Sequence, residues 1–289
     1  MTFQLITDST ADLDEKWAQE HALEILSMPV ILNGEIRQTT GAGALTSDTL
    51  LEKMRKGAQA STSQIPTGVF QDVFTRYAKV GVDVLYLAFS SGLSGTYQTA
   101  NIARDMVLEE FPEAKITLVD TLAAASGEGF LVEEVVTLKE AGRSLAEILS
   151  ALTEMIPRLR SWFIVDDLKH LARGGRISKT AAAVGTLASI KPVLDVDEGG
   201  HLRTVERARG TKKAINKLVA NSVEGHDAAY SKIIIAYSGD STAADKIAAD
   251  LAEEKAFERI VVRPLGPVIS VHTGTGTIAI FTLGKSERH

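Results

Sequence analysis

The sequence predicts an α/β protein of two domains, and three observations carry that prediction. Through the first half, short β-branched runs alternate with amphipathic segments, the pattern of a mostly parallel sheet flanked by helices. The second half mixes a hairpin signal with strand–helix units, the pattern of a mixed sheet with helices. The chain has 289 residues, of which 45% are apolar, more than one small core requires. The change of rhythm falls near Arg158 to Ser161, which sets an N-terminal domain at residues 1–159 and a C-terminal domain at 160–289.

Strands are expected at Phe3–Ile6, Met28–Leu32, Val84–Phe89 and Ile116–Val119, each a short apolar run between polar turn residues. Between and after them, Asp12–His21, Ser47–Gly57, Gly68–Val80, Thr96–Phe111 and Gly127–Ala141 are long enough for helices. In Thr96–Phe111 the apolar positions Tyr97, Ala100, Ala103, Met106, Val107 and Phe111 recur at spacings suited to one buried helical face. Ser161–Asp166 begins the second half as a strand. Pro192–Val196 and Leu202–Val205 bracket the turn "DEGGH" as a hairpin, and strand–helix units follow at Ile233–Tyr237 and Ile260–Val262. The glycine-interrupted "VISVHTGTGTIAIFTLG" is expected to close the sheet with one or two strands. No internal repeat or low-complexity tract is visible.

Composition removes several function classes. There is no cysteine, so disulfides, Cys-ligated zinc, iron–sulfur clusters and thiol nucleophiles are unavailable, which fits a reducing, cytoplasmic setting. "MTFQLITDST" lacks the basic region and apolar stretch of a signal peptide, and no apolar run approaches the length of a bilayer span. A soluble, unsecreted protein is expected. The net charge is −6 with both signs interspersed, so general nucleic-acid binding is not expected.

Four loops are richer in Ser, Thr, Gly and His than a simple connection needs: "TDSTADL" at 7–13, "ASTSQIPTG" at 60–68, "SSGLSGTYQTA" at 90–100 and "VHTGTG" at 271–276. In an open α/β sheet, loops at the carboxyl ends of strands converge on one crevice. Ser94 admits three readings there. It can cap the helix beginning near Thr96. It can be a nucleophile, although Gly92-Leu93-Ser94-Gly95 misses the Gly-x-Ser-x-Gly elbow by one residue and no full hydrolase signature exists. It can also join free N–H groups at a helix start to hold a carboxylate or phosphate.

No Walker loop occurs, and "RGGR" at 173–176 lacks its order of glycine, lysine and hydroxyl. The six histidines are scattered without metal-ligand spacing, so no metal is assigned. Asp166 and Asp167 are read as solvent-facing or helix-capping acids in preference to magnesium ligands. His272 reads by default as a buried structural histidine, unless folding brings it to the serine loops.

The loops together resemble the DegV family. "TDSTADL", "STSQIPTGVF", "SSGLSGTYQTA", "VDTLAAASGEG", "DDLKHLARGGRIS", "IKPVL" and "LGPVISVHTGTGTIAIF" stand in that family's order across essentially the whole chain. The resemblance implies two DegV-type α/β domains with a ligand cleft between them and one long-chain fatty acid in an apolar tunnel. It implies that the carboxylate meets Thr62, Ser63, Ser94, the Gly95 backbone and His272. It further implies presentation of the acid to a separate ATP-dependent fatty-acid kinase that forms an acyl phosphate, with no catalytic residue and no cofactor in this chain. The surface for that partner falls in "RTVERARGTKKA", with Arg209 first and Arg207 and Lys212 as fallbacks; transient contact with a membrane surface is compatible with such a role. Arg173 and Arg176 are assigned a structural place at the domain interface. "AAAVGTLASI" at 181–190 is read either as tunnel wall or as a closely packed helix. Ile65, Thr67 and Thr121 depart from the commonest family pattern without touching the head-group donors. Two other roles stay open: a subunit similar to the substrate subunit of dihydroxyacetone kinases, with His272 holding a small ketone, and a lipid carrier or sensor with no kinase.

Overall fold

The computed structural model describes residues 3–178 and 190–288. Of the stretch 181–190, all but Ile190 lies outside the described residues. The architecture is α/β, with a parallel sheet and a larger mixed sheet, as expected.

The first sheet contains β1 (Phe3–Asp8), β2 (Leu23–Leu26), β6 (Asp83–Ala88) and β7 (Ile116–Asp120) in the order β2-β1-β6-β7, every pair parallel. Alternation along the strands divides its two faces. Ile6, Val84, Tyr86 and Ala88 pack with Phe70 and Phe74 of α3 (Thr67–Lys79) and with Ala100, Ala103 and Val107 of α4 (Thr96–Glu110). Leu5, Leu85 and Leu87 turn the other way, onto Phe130 and Leu131 of α5 (Ser126–Glu140). Both faces are thus covered, which is why these strands read as nearly continuous apolar runs.

The second sheet runs β10-β9-β8-β13-β11-β12. Its strands are β8 (Leu159–Ile164), β9 (Ile190–Val196), β10 (Leu202–Arg209), β11 (Lys232–Tyr237), β12 (Arg259–Pro264) and β13 (Ile278–Leu283). Only β11 and β12 pair in parallel; the other pairs are antiparallel. One face, with Val193, Ile233, Ile235 and Ile280, packs on α8 (Thr211–Val223) and α9 (Thr242–Glu254). The opposite face, with Phe163, Leu194, Ile234 and Phe281, shares a core with α5. Helix α5 is therefore held between the two sheets, and its residues are buried without interruption from Ser126 to Glu133.

Such a helix must bury its polar side chains with partners. Lys232 lies over the Phe130 ring and pairs with Glu133 at 3.3 Å and Glu134 at 2.5 Å, while Arg263 binds Glu133 at 2.5 Å. One turn earlier, Glu128 is fully buried. Thr7 Oγ1 lies 3.1 Å from the Leu87 carbonyl and 2.9 Å from Glu128 Oε1, and its single proton can serve only one of them. With the carbonyl able only to accept, the carboxyl of Glu128 supplies the other proton and is neutral. Burial and the nearby charge of Asp8 push its pKa in that direction, well above the usual carboxylate range.

A third, three-stranded sheet was not anticipated: β3 (Val30–Leu32) pairs antiparallel with β4 (Glu35–Arg37) and with β5 (Ala60–Thr62). Nor were β2 and α6 (Leu145–Met155), whose Ser144 and Glu147 form a capping box. The expected terminal pair of strands needs correction. Residues Pro267–Thr273 form helix α10, entered through Gly266 with proline at its first position, and only β13 follows as a strand.

Candidate functional site

Two of the four polar loops and the terminal helix meet around one concave, mostly apolar pocket. Met28, Phe89 and Leu93 form its wall on the side of the parallel sheet. Phe163, Val196, Ala279 and Phe281 form the wall on the mixed sheet, and Leu265, Val268 and Ile269 of α10 and its entry cover it. The lining is mostly apolar, with the hydroxyls of Ser161, Thr273 and Thr277 along it and its other polar groups gathered at one end. There Thr62, Ser63, Ser94, Arg176 and His272 come together.

Each reaches that end for a local reason. Thr62 is the last residue of β5, so the edge of the small sheet aims it at α10. His272 stands in the last turn of α10, where the helical spacing places it with Val268 and Ile269 on the cavity side. Thr62 Oγ1 and His272 Nε2 share a hydrogen bond of 2.7 Å. His272 Nδ1 is buried without a hydrogen-bond partner among the described residues, and Gly174 lies against the ring so closely that any side chain there would overlap it. Burial, together with the positive charge of Arg176 and His170, lowers the His272 pKa to about 4, so the ring is neutral at pH 7.

Ser94 precedes α4, whose cap position is Gly95. Its hydroxyl accepts from the Thr96 N–H at 3.2 Å and lies 2.9 Å from Thr96 Oγ1, so it closes a local turn while lining the cavity mouth. The capping and ligand-facing readings are thus compatible in one side chain. No histidine or carboxylate is bonded to it, so it lacks the adjacent base that a nucleophile requires. Ser63 is exposed at the same mouth. Gly95 is also exposed, but it lies under the Gln64 side chain and outside the cavity lining.

Arg176 was expected only to hold the interface. Its Nε donates to the Leu93 carbonyl at 3.0 Å, and a second nitrogen reaches the Gly174 carbonyl. Its guanidinium also lines the cavity mouth. Arg173 and Arg176 border a depression on the outer side of the Thr62–His272 pair, so the polar end of the cavity is also its electropositive end.

The serine loop is tied to the mixed sheet by a second contact. Ser90 Oγ donates to the Gly200 carbonyl at 2.8 Å in the β9–β10 turn. Gly200 has φ +76° and a Cβ there would overlap Ser90 Oγ, so this turn position requires glycine on two counts.

Arg207 and Arg209 lie on β10, which runs to residue 209 and so is longer than expected; both are exposed, on the face opposite Ala208. Lys212 is exposed in the first turn of α8. These three are not part of the cavity lining. Asp167 accepts from the Lys169 N–H at 2.9 Å and Asp166 pairs with Lys191 at 2.8 Å, the capping and surface roles expected of them. No cluster of three or more metal-ligating side chains occurs among the described residues. No described helix is long and apolar enough to cross a membrane.

The sequence profile described as "Uncharacterised protein, DegV family" matches residues 2–285. A DegV domain-containing protein of Lactococcus lactis is 56% identical over 288 residues, covering all of both chains, and one of Streptococcus pyogenes is 45% identical over the same span. Among solved structures, a fatty-acid-binding DegV family protein of Thermus thermophilus superimposes with a TM-score of 0.85 at 34% identity, over 98% of this chain and 100% of that one. DegV of Bacillus subtilis, described as a fatty acid binding protein, gives 0.85 at 28% identity, over 99% of this chain and 100% of its own.

Proposed function

The chain belongs to the DegV family, and on that premise we propose that it holds one long-chain fatty acid in the apolar cavity and presents the carboxylate to a separate ATP-dependent kinase. The observation that carries this reading is the gathering of polar and cationic groups at one end of a mostly apolar cavity. There, Thr62, Ser63, Ser94 and His272 offer neutral donors to a carboxylate. Neutral hydrogen bonds orient the group and leave an oxygen free for phosphorylation, where a bidentate arginine clamp would occupy both. The head group then lies between the two domains proposed at residues 1–159 and 160–289.

Burying roughly 15 methylenes at about 0.8 kcal/mol each gives on the order of 12 kcal/mol of gross transfer free energy. Ordering the chain and losing translational freedom offset much of it. The walls thus supply affinity and the mouth supplies orientation. The chain itself transfers no phosphoryl group and needs no cofactor in this scheme. Arg209, with Arg207 and Lys212 beside it, is the proposed contact for the kinase, because these cations are exposed on a strand and helix start outside the cavity.

Mass spectrometry of lipid extracted from protein purified from cells tests the binding. One long-chain fatty acid per chain is expected; none extracted, with no uptake of added palmitate or oleate, would overturn it. Acyl phosphate is expected only when kinase, ATP and this chain are combined. Arg209→Glu should keep lipid binding and lower acyl-phosphate formation, and no effect on either would favour a carrier or sensor without a kinase. A small-ketone subunit using His272 would leave the phenylalanine and leucine walls without a role.

A further inference from the structure

One polar group in the cavity is far from the mouth. Ser161 lies on β8, is 3% exposed, faces the cavity, and its Oγ has no hydrogen-bond partner among the described residues. The other inner hydroxyls differ: Thr273 Oγ1 donates to the Ile269 carbonyl at 3.2 Å and Thr277 Oγ1 to the Thr273 carbonyl at 3.3 Å. A hydroxyl in a helix or just after it can turn back on a free carbonyl. Ser161 stands in β8, laddered to Phe281 of β13, with no such helical carbonyl beneath it.

Its position along the cavity follows from register. Ser161 pairs with Phe281 on β13, and Phe163 with Ala279, and all four line the cavity. Thr277 lines it too, next to the His272 end. Four residue steps lead from Thr277 to Phe281, so at about 3.4 Å per step Ser161 stands on the order of 13 Å down the wall from Thr277. An acyl chain anchored at Thr62 and His272 passes it with its distal part. Phe163 and Phe281 leave that part of the wall otherwise apolar.

We propose that Ser161 is a specificity-determining residue that selects a fatty acid bearing a hydroxyl or oxo oxygen on the distal part of its chain. The inference rests on the fatty-acid reading of the cavity. A plain alkyl chain against Ser161 excludes water and leaves a buried hydroxyl unpaired, whereas an oxygen at that depth replaces the water with a hydrogen bond. Alanine at this position would serve a purely alkyl ligand better. Sites containing a buried polar group discriminate strongly against ligands that leave it unmatched.

The test uses delipidated full-length protein and calorimetric titration. The ligands are octadecanoic acid and a series of octadecanoic acids carrying one hydroxyl at successive positions. The wild type should prefer a distal hydroxyl over the plain acid by about tenfold, the equivalent of about 1.4 kcal/mol. The preference should peak at one stretch of the chain. Ser161→Ala should abolish it, mainly by binding the plain acid several-fold more tightly, with an unchanged melting profile as the control for folding. Wild-type protein binding the plain acid as tightly as every hydroxylated one, or Ser161→Ala retaining the preference, would overturn the proposal and leave the fatty-acid reading standing. If no acid in the series binds the wild type, both fall.

Discussion

The imidazole of His272 gives a pH signature that can be worked out. In the folded protein without lipid, burial and the charges of Arg176 and His170 lower its pKa from 6.5 to about 4. The unfolded chain takes up a proton near 6.5 and the folded chain only near 4, so protonation favours unfolding across that interval. The stabilisation is present above pH 6.5 and is lost as pH falls toward 4. At about 1.36 kcal/mol per pH unit, the interval corresponds to about 3 kcal/mol at most. His272→Gln retains a hydrogen-bonding group for Thr62 and cannot titrate. Urea denaturation of lipid-free wild type and His272→Gln at pH 7 and pH 4 should therefore show the wild type losing about 3 kcal/mol more than the variant. Asp8, Asp12 and Glu128 also have raised pKa values, but they are common to both proteins and cancel in the difference. NMR should place the imidazole midpoint far below 6.5 in lipid-free protein and higher once a carboxylate lies beside the ring. Equal acid losses in the two proteins, or a midpoint near 6.5 without lipid, would refute the reasoning.

Removing one head-group donor, by Ser94→Ala or Thr62→Val, should weaken fatty-acid binding about tenfold in calorimetry, as expected for a hydrogen bond to a charged group of about 1.5–3 kcal/mol, with little change in melting. Gly200→Ala should cost about 2 kcal/mol or more in urea denaturation, because its φ is +76° and the new methyl displaces Ser90 from its 2.8 Å bond. Lys232→Met should cost about 3 kcal/mol in the same measurement, since Glu133 and Glu134 lose a buried cation, although Arg263 still holds Glu133. Glu128→Gln should be within about 1 kcal/mol of wild type at pH 7, because an amide can donate to Thr7 and accept from Thr10 as the neutral acid does. Its raised pKa means that wild type loses stability as pH rises above the usual carboxylate range, a loss the glutamine variant should escape.

The parallel sheet was legible because burial on both faces leaves a run that is apolar at every position: Val84–Ala88 can hardly be anything but an inner strand. Strands that fall outside such a run were not seen. Glu35–Arg37 is fully exposed and Ala60–Thr62 half-exposed, so neither shows a hydrophobic period, although Asn33-Gly34 between apolar residues is a hairpin signal that would have found the first. Pro267–Thr273 was misread for the opposite reason. Its valines and isoleucine favour strands by propensity, and the signals that outweigh them are the proline at the first helical position and the burial of Val268 and Val271 three residues apart.

The mouth of the cavity was legible as a set of residue types, not as a geometry. Thr62 and His272 are 210 positions apart, and nothing in either local sequence states that the edge of a small sheet will meet the last turn of a helix. Arg176 was assigned a structural place because its motif carries no donor pattern for a ligand; it bonds to the Leu93 carbonyl and also lines the cavity. Ser161 had no signal at all. One serine at the start of a strand is ordinary, and it becomes informative only when both sheets and α5 close around it and leave its hydroxyl without a partner. The same closure explains the polar burial along α5. The first turns of a helix held between two sheets have no solvent-facing side for Glu128 or Glu133 to reach, so Glu128 is neutral and Glu133 is paired with Lys232 of β11 and with Arg263. The enclosure that makes an apolar cavity between the sheets is therefore also what shifts the two groups in opposite senses, raising the pKa of the Glu128 carboxyl and lowering that of the His272 imidazole, so that each is held neutral.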